Sequence, residues 1–151
     1  MLMTQKLAAC GLGAALLFVM PPTAGAEEDV EITKPCPEQI GLSALYAPFA
    51  KHARTFYDGR VNVFNTDVVE PVARSKGLAF IIFDEEGGDT CIYVGPFSSV
   101  SAIADAKVKY DDSKGLLLEV KTGEYLADGP GVPKTPLKPR INAKAQTVTS
   151  E

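Results

Sequence analysis

The side chains able to do chemistry are few, and their spacing narrows what they can do. His52 is the only histidine. A Ser-His-Asp site would bring it to a serine such as Ser98 or Ser99 and an orienting carboxylate, but no G-x-S-x-G turn is present to raise a nucleophile. Cys-His catalysis needs a free thiolate. Zinc draws its ligands mainly from Cys and His, and one His with the two well-separated Cys that remain outside the N-terminal apolar segment, no C-x-x-C and no H-E-x-x-H make no such set. Asp84, Glu85, Glu86 and Asp89 carry oxygens of the kind calcium takes, yet without EF-hand spacing, and they read as a solvated hairpin loop; Asp111-Asp112 reads as a turn. No pair among the acidic residues is singled out for glycoside hydrolysis. There is no tryptophan to form a stacking platform, and Gly87-Gly88 and Gly129-Pro130-Gly131 open no helix that could cradle a phosphate. The expectation is a non-enzymatic protein with no cofactor and no metal. The alternative is a small extracytoplasmic hydrolase that uses His52 or a carboxylate pair as its acid and base.

The cysteines point to a compartment. Lys6, the apolar run of residues 7–20 and Ala24-Gly25-Ala26 have the charge, core and small-x-small pattern of a cleaved export signal over residues 1–26. The run is followed at once by Pro21-Pro22 and falls short of the about 20 residues a spanning helix needs, so no membrane span is expected. Leu7-Ala8-Ala9-Cys10 has the look of a lipoprotein cleavage box, but the apolar stretch follows the cysteine where it should precede it, and Cys10 leaves with the signal. Cys36 and Cys91 then remain, the natural partners of one disulfide in an oxidising compartment. The predicted location is periplasmic or secreted.

The elements that would position these residues follow from length and pattern. The chain has 151 residues, 46% apolar and 23% charged, which suits one domain and excludes collagen-like or disordered classes. A net charge of −4 supplies no positive face for nucleic acid. Residues 27–35 are polar and read as a leader, and residues 36–129 as the single domain. In residues 42–57 the apolar positions Leu42, Leu45, Tyr46, Phe49, Ala53, Phe56 and Tyr57 recur at spacings of three and four, which predicts a main N-terminal helical segment, kinked or split at Pro48. On that helix His52 sits at the border of the apolar face near Phe49 and Phe56, as a half-buried structural histidine. Strands are predicted over residues 60–64, 78–84 and 90–95, the last two joined by a Gly-Gly hairpin, with a short helix from Ser98 or Ser99 through Lys107. A meander over residues 108–110, 116–121 and 124–127 completes the set, and residues 68–76 are ambiguous because Pro71 weakens a helix and the charges weaken a strand. The sum is an α+β fold, the helical segment packed on an antiparallel or mixed sheet of about five strands.

The C-terminal residues 130–151 carry a different composition. They hold four basic and one acidic side chain against 10 basic and 18 acidic in residues 27–129, and Pro130, Pro133, Pro136 and Pro139 recur every third residue, the period of polyproline II. The segment is therefore expected to be an extended or disordered Pro-rich basic tail. Pro133, Lys134, Pro136, Lys138 and Arg140 are its candidate partner-binding residues, with the form of a PxxP ligand and a basic flank. The functional expectation is a small exported protein that binds another envelope or secreted protein as accessory subunit or inhibitor.

Overall fold

The computed structural model describes residues 30–69, 74–123 and 136–151. Within them the chain is mostly β. The strands are β1 (Ile32–Thr33), β2 (Ala53–Phe56), β3 (Val61–Val69), β4 (Arg74–Phe83), β5 (Asp89–Phe97), β6 (Ser99–Val100), β7 (Lys107–Asp111), β8 (Gly115–Glu119), β9 (Thr122–Gly123), β10 (Pro139–Asn142) and β11 (Thr147–Ser150). One sheet runs β1-β5-β4-β3-β2, a second β11-β10-β8-β7, and β6 and β9 form a two-stranded ribbon, with every pairing antiparallel.

The predicted β4–β5 hairpin is present and central. Leu78, Phe80 and Ile82 on β4, with Ile92 and Val94 on β5, are fully buried or nearly so. They join Leu116 and Leu118 on β8, Ile141 on β10 and Val148 on β11 in one contiguous core. Two sheets therefore share a single apolar layer, which is how two one-sided sheets hide their inner faces from water.

The α+β expectation is overturned. The helical periodicity over residues 42–57 yields only a 3-10 turn (Leu42–Ala44) and the four-residue α1 (Phe49–His52), after which the chain enters β2. Of the apolar residues on the supposed helix face, Phe56 is buried, whereas Phe49 is 55% exposed. The cause lies outside the segment. The far edge of β3 needs hydrogen-bond partners, since unpaired buried backbone groups are costly. β2 supplies them in the register Ala53↔Phe64 to Phe56↔Val61, and Leu45 bridges Thr66 further along. Pairing along a sheet edge outweighs a local helical pattern already interrupted by Pro48. Likewise the short helix expected after Ser98 is replaced by β6 and a 3-10 turn (Ile103–Asp105), in which Ile103 is buried and Ala104 is exposed.

The extended tail is overturned for the residues described. Leu137, Pro139 and Ile141 face inward while Lys138 and Arg140 between them do not, an alternation of period two that places β10 beside β8. Proline is admissible at Pro139 because it is the first residue of its strand. β11 folds back on β10, and the turn between them reaches the other sheet. There the Gln146 side-chain amide donates to the Ile82 carbonyl at 3.2 Å and accepts from the Thr90 hydroxyl at 3.0 Å. Residues 130–135 and the expected strand at 124–127 lie outside the described residues.

Gly115 shows how closely the second sheet is fitted. It starts β8 at φ +91°, where side-chain-bearing residues are strained, and a Cβ there would collide with the Ile141 carbonyl oxygen of β10. Gly115→Ala is expected to destabilise the protein by about 2–4 kcal/mol, from left-handed backbone strain and displacement of β10 together. A urea melt of the variant beside the parent measures it.

Candidate functional site

Residues 45–52 cross the outer flank of β3 and are held there at both ends. The Tyr46 amide donates to the Asn65 carbonyl at 3.0 Å, and the amides of Lys51 and His52 donate to the Pro48 carbonyl to close α1. The Asn65 side chain, itself buried, donates to the Ser101 carbonyl at 2.8 Å and accepts from the Ile103 amide at 3.1 Å. It thus fixes the Ile103–Asp105 turn, which packs against α1. Arg54 adds hydrogen bonds to the carbonyls of Ala106 at 2.8 Å and Ala104 at 3.4 Å.

The side chains on this support form a compact stack. The Tyr46 and His52 rings meet edge to face at 4.4 Å, and the Lys76 ammonium lies 4.2 Å from the centre of the Tyr46 ring. Lys76 faces Asp67 across the β3–β4 pair, and their charges are 2.9 Å apart. With both side chains largely buried, this ion pair and cation–π contact are screened less than surface equivalents. His52 Nδ1 is buried without a hydrogen-bond partner. Burial lowers the His52 pKa, and the positive charges of Lys51 and Lys76 lower it further. Beside the stack Phe49 projects into solvent, and Tyr46 keeps 36% of its surface exposed. The arrangement presents aromatic surface from a fixed backbone. Neither Ser98 nor Ser99 is brought to the histidine: both stand against Gly123 of the β6–β9 ribbon, while His52 stands against Tyr46.

The other residues singled out by sequence are placed as follows. Cys36 and Cys91 are joined, with Cα atoms 5.2 Å apart, and the Cys36 amide donates to the Cys91 carbonyl at 3.0 Å. The bond fastens the segment that carries β1 along β5. Of the tail residues, Pro133 and Lys134 lie outside the described residues, and Pro136 and Lys138 are half-buried. Arg140 is held in a two-pronged pair with Glu151, both contacts at 2.8 Å. That pairing raises the Arg140 pKa and lowers that of Glu151. The acidic loops close on themselves: Asp84 accepts from the amides of Glu86 and Gly88. Asp111 accepts from the Ser113 hydroxyl and the amides of Ser113 and Lys114, which hold its pKa at about 2. Among the described residues no three His, Cys, Asp or Glu side chains converge on a point, and no helix is long and apolar enough to cross a membrane.

Sequence reasoning missed the stack because its members are far apart in the chain. The apolar spacing puts Tyr46 on a helix face, and Asp67 precedes and Lys76 ends the ambiguous stretch, with nothing in their spacing to mark them as opposite neighbours on two strands. No family model, curated protein or solved structure matches the chain.

Proposed function

We propose that this chain is a small exported, non-enzymatic protein that binds another protein of the cell envelope or extracellular medium, and that Phe49 and Tyr46 are the centre of its contact surface. The observation that carries the reading is a large aromatic side chain, 55% exposed, on a short segment tied to β3 at Leu45–Tyr46 and, through β2, at Ala53. Aromatic anchors dominate the energy of protein interfaces, and a preordered segment loses little conformational freedom on binding. Export is supported by the signal-like residues 1–26 and by the Cys36–Cys91 bond, which suits an oxidising compartment.

The test is native crosslinking and affinity capture from the extracytoplasmic fraction, with the oxidised protein and its Phe49→Ser variant as baits. Because Phe49 is exposed, the variant is expected to melt at the parent's temperature while losing its partner at least about fivefold, the effect of removing an interface residue worth more than 1 kcal/mol. Equal capture by both baits contradicts the assignment.

A further inference from the structure

We propose that the stack of His52, Tyr46 and Lys76 is a pH-operated latch: protonation of His52 releases residues 45–52 from β3, so that the Phe49 and Tyr46 surface is lost as the medium acidifies. The inference rests on the binding role given to that surface and concerns its regulation.

The geometry leaves no place for a second positive charge. The face of Tyr46 already holds the Lys76 ammonium at 4.2 Å, and His52 meets the same ring at 4.4 Å. From its own helix His52 faces the exposed Lys51; from β4 it faces Lys76; from β3 comes Asp67, engaged by Lys76 at 2.9 Å. The Ile103–Asp105 turn contributes the exposed Asp105, and β2 contributes Arg54, whose guanidinium is committed to the Ala104 and Ala106 carbonyls. The charges that act on His52, those of Lys51 and Lys76, are both positive. A proton added at Nδ1 would create a buried N–H donor with no acceptor.

The segment has fewer backbone ties than the strands beside it. To β3 it has the Tyr46 amide and the Leu45↔Thr66 bridge at one end and, through β2, the Ala53↔Phe64 pair at the other, whereas β3 and β4 are paired over nine residues. The sign follows from linkage. A released His52 regains an ordinary pKa of about 6.5, above its latched value, so the released state binds the proton more tightly. The latch is at full strength above about pH 6.5 and weakens as pH falls from there toward the latched pKa. His52 is the only histidine, so no other imidazole contributes in that window.

Amide hydrogen exchange of the oxidised protein, corrected for the intrinsic pH dependence of exchange, tests this without any partner. Between about pH 7.5 and 5, protection of the Tyr46 amide is expected to fall progressively, by up to tenfold for each unit between the released pKa and either the latched pKa or pH 5, whichever is higher, while the amides of β4 stay protected. In His52→Gln the Tyr46 amide should show no such fall, and in Lys76→Gln a smaller one. Should His52→Gln not fold, the ring titration of His52 in the parent decides, because its midpoint must lie below the ordinary value and Tyr46 protection must be lost between about pH 6.5 and that midpoint. Undiminished protection at about pH 5, or the same fall in His52→Gln, overturns the latch. The readout needs only the protein itself, so it can fail while Phe49-dependent capture stands, and capture can fail while it stands.

Discussion

A chain ending at Gly129 is expected not to fold. The truncation removes Leu137, Ile141 and Val148, all buried in the shared core. At about 1.5–3 kcal/mol for each buried side chain the loss is about 5–9 kcal/mol, on the order of the 5–15 kcal/mol that a domain has in all. The loss extends to the backbone. Val120 and Leu137 exchange two hydrogen bonds, at 2.9 and 2.8 Å, and β8 would lose its partner β10 on one side. Circular dichroism and the amide dispersion of the truncated chain should show an unfolded or molten species. A native spectrum with an unchanged melting temperature would mean that residues 136–151 are an appendage. Any partner lost on this truncation therefore reports on folding, which is why point substitution at Phe49 is the sounder probe of binding.

Breaking the disulfide should produce the second large effect. A cross-link across a sequence separation of 55 residues is worth about 4 kcal/mol in the chain-entropy view. Here it also holds β1, a strand of only two residues, against the outer edge of β5. Thermal melts of the oxidised protein and of the Cys36→Ser, Cys91→Ser double variant should differ by on the order of 10–20 °C. β5 amides that face β1 should lose protection before those of β3 and β4. Coincident melts would show that the bond contributes nothing beyond the contacts around it.

What could be read from the sequence divides along a physical line. The β4–β5 hairpin and the Cys36–Cys91 pair were legible because both rest on strong chemical preferences, β-branched and aromatic runs around glycines in one case and two cysteines in the other. The segment around Tyr46 was misread because its apolar spacing suits a helix, while its true structure answers the hydrogen-bonding needs of β3, which no local window contains. The C-terminal residues offered two periods at once. Prolines every third residue suggested polyproline II, but Leu137, Pro139 and Ile141 alternate with Lys138 and Arg140, and burial follows the alternation. The stack of Tyr46, His52, Lys76 and Asp67 had no signal in spacing. It exists because β3 and β4 set Asp67 opposite Lys76 and because Asn65 fixes the flanking loops.

The binding role of the Tyr46–Phe49 surface is tested most directly by a photo-crosslinking amino acid placed at Phe49, with a second protein carrying it at Tyr110 as comparison. Tyr110 is 58% exposed on β7 of the second sheet, so it offers an equally accessible aromatic position elsewhere. The expected result is one discrete adduct from position 49 in the extracytoplasmic fraction, competed away by unlabelled parent protein and untouched by the Phe49→Ser variant. A discrete, competable adduct from position 110 with none from position 49 would contradict it.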